Sequence, residues 1–170
     1  MSEMTALQKV NKQLYTSEQR KRRDESIWTT VQGVLAPIQF IVFLGSVYLI
    51  AKFLATGEGY TAASFSVIIK TATLLLIMVT GAIWEKAVFG QFLLAKPFFW
   101  EDIVSFFVIA FHLSYVIVFV ANLFSDQTQI AIAIIAYILY IINAVQFLVK
   151  FRSARLTANP VSPSKKEAVA

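Results

Sequence analysis

The chain has 170 residues, 58% of them hydrophobic and only 15% charged, with a mean hydropathy of +0.68 and a formal net charge of +5. That is the length of one domain, and it is too apolar and too poor in charge for a soluble domain or a disordered chain. The absence of cysteine excludes disulfides, thiolate metal sites, iron–sulfur clusters and cysteine nucleophiles, and a single histidine excludes a multi-histidine zinc site.

Residues 1–30 read as a basic N-terminal segment, with Lys9, Lys12 and the run Arg20-Lys21-Arg22-Arg23. The first apolar stretch runs from about Val34 to Leu54, long enough to cross a bilayer and too long and too late in the chain for a cleavable signal peptide. Pro37 reads as a first-turn proline close to its start. Gln32, Gln39 and Ser46 recur every seven residues, a spacing that marks helix–helix contact. Thr56-Gly57-Glu58-Gly59 ends this helix with two glycines free to take positive φ.

The second stretch runs from about Phe65 to Trp84 and carries Lys70, Thr73, Thr80 and Gly81. A lysine about a turn and a half inside the boundary is expected to snorkel to the interface. The middle connection holds Trp84-Glu85-Lys86, Gly90, Lys96-Pro97 and Phe98-Phe99-Trp100-Glu101-Asp102. The third stretch runs from about Ile103 to Phe124, Ser125-Asp126 makes the next turn, and the fourth stretch runs from about Ile130 to Val149. Tyr137, Tyr140 and Asn143 recur every three residues in it, again the spacing of a helix contact. Residues 157–170, with their Asn-Pro, Ser-Pro and Lys-Lys-Glu composition, read as a disordered tail.

The expected fold is therefore all-α: an integral membrane bundle of four transmembrane helices over residues 31–156. Basic residues before the first span, after the fourth and in the middle loop put both termini and that loop in the cytoplasm. The two short loops, which carry only Glu58 and Asp126 as charges, then face outward. In a membrane protein the basic excess sets orientation and lipid contact, so lipid is an expected partner and nucleic acid is not.

Ionisable groups in lipid are costly and each needs a reason. Glu101, Ser105 and His112 fall within roughly 40° of one another on one helix face, with Tyr115 near the same stripe and His112 about 16 Å deeper than Glu101. His112 reads either as an interhelical hydrogen bond, to Tyr137, Tyr140 or Asn143, or as a ligand or proton-transfer group. Glu101 and Asp102 suit the positive end of a helix dipole. Glu85 lies against its own helix dipole and calls for a cationic partner, with Lys86, Lys96 or a tail arginine available. Three carboxylates interleaved with Trp84 and Trp100 make the middle loop the candidate site, since an apolar wall helps a carboxyl act as a general acid.

The segments Val31 to Pro37, Leu54 to Tyr60, Met78 to Lys86 and Phe98 to Asp102, with the Leu14-Tyr15-Thr16 start and the Arg20 to Arg23 run, resemble the 3-vinyl bacteriochlorophyllide hydratase family from about Leu14 to Leu156. The resemblance implies an enzyme of the inner, photosynthetic membrane of a bacterium. It would add water to the C3-vinyl group of a chlorophyllide-type tetrapyrrole, giving a 1-hydroxyethyl group with no separate cofactor. Such chemistry asks for an acid, a positioned water with a base, and a site that limits bulk water. Glu85, Glu101 and Asp102 are the available carboxyls; His112 suits acid–base work or axial ligation of the substrate's magnesium. Trp84, Trp100, Tyr115 and Lys86 are the expected substrate contacts, at a cytoplasmic mouth where basic side chains can hold a propionate. The competing reading is a non-catalytic pigment-binding or assembly subunit of a photosynthetic complex; a small transporter fits less well, because charge is concentrated in one span. Small four-helix membrane proteins often pair, so a homo-oligomer is compatible.

Overall fold

The computed structural model describes residues 14–158. Among them the regular structure is all helix, in the order α1 (Ser17–Glu25), α2 (Ile27–Thr56), α3 (Tyr60–Phe89), α4 (Phe99–Val120) and α5 (Asp126–Ala158). The last four are long and apolar enough to cross a membrane. Lys9, Lys12, Lys165, Lys166 and the tail from residue 159 onward lie outside the described residues.

Local chemistry sets the helix ends. Thr16 and Gln19 form a reciprocal capping box that starts α1, at 3.2 and 3.0 Å. Ser26 then caps α2 by accepting the Trp28 N–H at 3.3 Å. That cap starts the helix well before the apolar run, so Pro37 is not a first-turn proline; it lies inside α2. The same start puts the boundary drawn at residue 31 within a continuous helix. Gly59 and Gly90, at φ 86°, bracket α3. The third span stops at Val120, short of the expected Phe124, because Asn122 and Phe124 turn left-handed at φ 50° and 66°. Gln129 pins this corner by donating to the Leu123 carbonyl at 2.9 Å.

Packing follows a heptad rhythm. On α2 the buried residues are Gln39, Phe43, Ser46, Ile50 and Phe53, and on α4 Glu101, Ser105, Val108, His112 and Tyr115, steps of four and three in both, with Asp102 buried besides at the start of α4. A mean repeat near 3.5 residues is that of left-handed helix packing. The helices pair as two hairpins, α2 with α3 and α4 with α5, and α3 joins the hairpins by touching both α4 and α5. Ile41, Val79, Phe107, Ile117 and Leu148 point outward and exposed, as lipid contact demands.

Apolar burial between helices gains little in lipid, so polar contacts matter more to register, at about 0.6 kcal/mol each. The predicted seam of α2 is one such set. Gln32 donates to Thr80 Oγ1 at 2.7 Å, and Ser46 hydrogen-bonds both Ser66 and Tyr137 at 2.6 Å. Tyr60 donates to Gln129 at 2.5 Å, tying α3 to α5 at the far end of the bundle. At the other end Tyr15 is buried, its ring stacked 5.8 Å from Phe89 and under the Arg23 guanidinium. Burial pushes the Tyr15 phenol up to about 12, so it docks the N-terminal segment as a neutral group.

Candidate functional site

The carboxylates gather where α3 hands over to α4. Glu85 accepts the Ala95 N–H at 3.0 Å, and Asp102 accepts the Leu94 N–H at 2.5 Å. The two carboxyl groups, both buried, lie within hydrogen-bonding reach of each other. Leu93 and Leu94 adopt left-handed φ of 51° and 56°. Such a kink in non-glycine residues is held only if its surroundings over-determine it, and the two carboxylates provide that hold. Among the described residues Glu85 has no lysine partner; it is held by a backbone donor and lies beside Asp102. Lys86 instead donates to the Gly90 carbonyl at 2.8 Å, closing the C-terminus of α3, and lies 5.4 Å over the Phe92 ring.

Glu101 faces the bundle and pairs with Lys150 of α5 at 3.0 Å. Ser105 donates to the Glu101 carbonyl at 2.9 Å and accepts from Asn143 at 2.7 Å. The expected stripe of Glu101, Ser105, His112 and Tyr115 is thus brought together on the inward face of α4, and Asp102 is buried beside it.

His112 is fully buried. Its Nδ1 lies 2.8 Å from the Val108 carbonyl, which can only accept, so Nδ1 carries the proton and Nε2 keeps a lone pair. The hydrogen bond expected to Tyr137, Tyr140 or Asn143 is not formed. The Tyr137 ring stacks on the imidazole at 5.7 Å instead, and Nε2 has no hydrogen-bond partner. Lys70 departs furthest from expectation. It does not snorkel; it is 0% exposed, with Nζ 3.5 Å over the Tyr140 ring and no hydrogen-bond partner. The physical reason is register: Lys70 falls on the buried α3 stripe with Ala63, Val67 and Leu74, which turns it away from lipid.

The two tryptophans expected at the site differ in placement. Trp84 is buried and donates to Thr29 at 2.9 Å, whereas Trp100 is 70% exposed and meets only the Phe99 ring, at 5.4 Å. No ring contact joins the two tryptophans among the described residues. The aromatic centre is Phe98, fully buried among Trp84, Phe89, Phe147 and Phe151 at 5.6 to 6.1 Å. Tyr115 is fully buried with its hydroxyl toward Ser64.

Two open hollows mark the surface. One, of about 370 Å³, is lined by Tyr15, Ser17, Arg20, Lys21 and Asp24 at the N-terminal end. The other, of about 400 Å³, opens between α2 and α3 and is lined by Val42, Gly45, Ser46, Tyr48, Leu49, Ser66 and Ile69. Of its lining residues, Ser46 hydrogen-bonds Tyr137, the residue stacked on His112. Reading the heptad register of α3 would have found Lys70. No comparable sequence signal marks Phe98 or Lys150 as partners of the site.

No solved structure matches this chain. Sequence comparison is informative. The family description 2-vinyl bacteriochlorophyllide hydratase (BCHF) matches residues 15–153. A 2-vinyl bacteriochlorophyllide hydratase of Cereibacter sphaeroides is 57% identical over 149 residues, covering 86% of this chain and 91% of the relative. One of Rhodobacter capsulatus is 56% identical over 147 residues, covering 86% of this chain and 85% of the relative. With the profile spanning the docked N-terminal segment, all four long helices and the carboxylate loop, the chain belongs to the 2-vinyl bacteriochlorophyllide hydratase family.

Proposed function

We propose that this chain is a hydro-lyase of bacteriochlorophyll synthesis that adds water to the vinyl group of a bacteriochlorophyllide-type tetrapyrrole. The observation that carries this is the 57% identity to a hydratase of that name across 91% of its length. The 2-vinyl of the relatives' name and the C3-vinyl are the same substituent in the older and newer ring numberings. Membrane helices suit the substrate, a broad apolar disc with a polar edge.

The reaction balances simply. A proton is added to the terminal vinyl carbon, the cation on the inner carbon is delocalised into the macrocycle, and water attacks that carbon and loses a proton. The product is a 1-hydroxyethyl group. Glu85, Asp102 and Glu101 are the acids we assign to the first step. Two carboxyls in contact hold a proton between them more readily than two anions sit side by side, which suits Glu85 and Asp102 to a donor role. Glu101, paired with Lys150, is the alternative donor. For His112, axial ligation of the substrate's magnesium competes with acid–base work on water. Trp84, Trp100, Tyr115 and Lys86 remain our proposed substrate contacts, and no cofactor beyond the substrate's own magnesium is required. We place the enzyme in the photosynthetic membrane with its mouth on the cytoplasmic side, lipid around it, and pairing of copies compatible with the exposed helix faces.

The test is to incubate purified protein in detergent with the vinyl pigment. A hydratase yields product heavier by the mass of one water. A spectral shift with no change of mass would replace this reading with a pigment-binding or assembly subunit.

A further inference from the structure

Each carboxylate of the loop has a partner, a backbone N–H group or Lys150, although Glu101 Oε2 is left without one. A complementary pair of unmet atoms lies deeper, one on α3 and one on α4. Among the described residues Lys70 Nζ is a buried donor with no hydrogen-bond acceptor, and His112 Nε2 is a buried acceptor with no hydrogen-bond donor. Both residues are 0% exposed, and both pack on the same stretch of α5, Lys70 Nζ over the Tyr140 ring at 3.5 Å and His112 against the Tyr137 ring at 5.7 Å, one helical turn apart. Leaving either atom unmet in a protein interior is costly. The two needs are complementary in a particular way. Whatever lies between them must accept a hydrogen bond from an ammonium and donate one to an imidazole nitrogen. A carbonyl or carboxylate can do only the first, and a magnesium ion would meet only His112. A hydroxyl does both, and water is the smallest molecule that carries one.

We propose that Lys70 and His112 together hold one buried water molecule, and that this is the water consumed in the hydration. Lys70 is then a further residue of the site, holding the water oxygen. His112, its tautomer set by the Val108 carbonyl, offers Nε2 to the water's proton. When the inner vinyl carbon becomes cationic, a water lone pair forms the C–O bond and one water proton passes to Nε2. The proton gained by the terminal carbon comes from a carboxyl, and return of the His112 proton to that carboxyl closes the cycle. The Tyr140 ring holds the ammonium in place, its centroid 3.5 Å from Nζ. The Tyr137 ring does the same for the imidazole. This assignment rests on the hydratase reading for the identity of the water's fate, and on the two unmet atoms for the water itself.

The experiment uses the full chain in detergent with Lys70→Met, His112→Gln and the double variant. Lys70→Met keeps the length of the side chain and removes a buried cation, so the thermal midpoint should hold or rise. With the vinyl pigment, kcat should fall by about a hundredfold in each single variant while KM for the pigment changes little. The double variant should lose little more than either single one, because the pair acts as a unit. Independently of turnover, infrared difference spectra in H2(18)O should contain a shifted band from a strongly hydrogen-bonded internal water, absent from both single variants. Near-normal kcat in Lys70→Met overturns the proposal. So does a loss confined to KM, or a His112→Gln variant that loses affinity for the magnesium pigment but not for its demetallated form. A wild type that shows the water band yet never hydrates the pigment defeats the functional reading and leaves the water site standing.

Discussion

Glu85, Asp102 and Glu101 sit at one end of the bundle but are held by different partners, and the difference predicts how each tolerates loss of its proton. Glu85 and Asp102 accept from the Ala95 and Leu94 N–H groups. An amide oxygen can do the same, so Glu85→Gln should keep the loop's shape while removing a proton donor. Glu101→Gln removes the charge that Lys150 faces and leaves a partly buried ammonium without its anion. If one of these glutamates protonates the vinyl group, its amide variant should lose about a hundredfold or more in turnover. Steady-state rates on protein shown to be folded by circular dichroism check this. Near-normal rates for both variants would remove the glutamates from the chemistry.

Elements are ended and joined here by backbone chemistry that side-chain hydropathy does not report. The loop after α3 passes through two leucines with left-handed φ, Leu93 and Leu94, where glycine would be at ease. Leu94 is exposed, so little packing is lost by trimming it. Leu94→Gly should therefore stabilise the folded protein by about 1 kcal/mol, the order of the left-handed penalty for a side-chain-bearing residue. A rise in the thermal midpoint in a fixed detergent is the expected result. A fall would mean that the leucine side chain packs against something that outweighs the strain. The same logic explains α2. A serine cap at residue 26 carries the helix through Pro37, whose missing N–H costs less than the whole first part of the helix would.

At the scale of the whole molecule, the two hairpins and the charge distribution imply a direction in the membrane. Basic residues cluster at the end that holds α1, the carboxylate loop and the last turns of α5, while Glu58 and Asp126 mark the other end. We expect cysteines introduced at Gly57 and Asp126 to react with an impermeant reagent from the periplasmic side of intact cells. Labelling of both only after the membrane is opened would reverse the orientation, and with it the side from which the pigment and the propionate-holding bases meet.

Sequence alone determined the class of this protein, its four spans and the inward stripe of Glu101, Ser105, His112 and Tyr115, because a bilayer leaves helices no other way to satisfy their backbone and heptad spacing names the face that is hidden. It also carried the family, which matches over residues 15–153. What it did not contain was partner choice. Whether Lys70 reaches lipid headgroups or the core depends on the rotation of α3 against α5, a few tens of degrees decided by how Ala63, Val67 and Leu74 seat against their neighbours. Whether Glu85 needs a lysine depends on a left-handed loop whose two N–H groups point back at the helix ends. Those are contacts between residues distant along the chain or around a kink, and their energies are a kcal/mol or so each, below what composition or periodicity can resolve. Only the packed bundle brings an unmet donor from α3 and an unmet acceptor from α4 to the same interior.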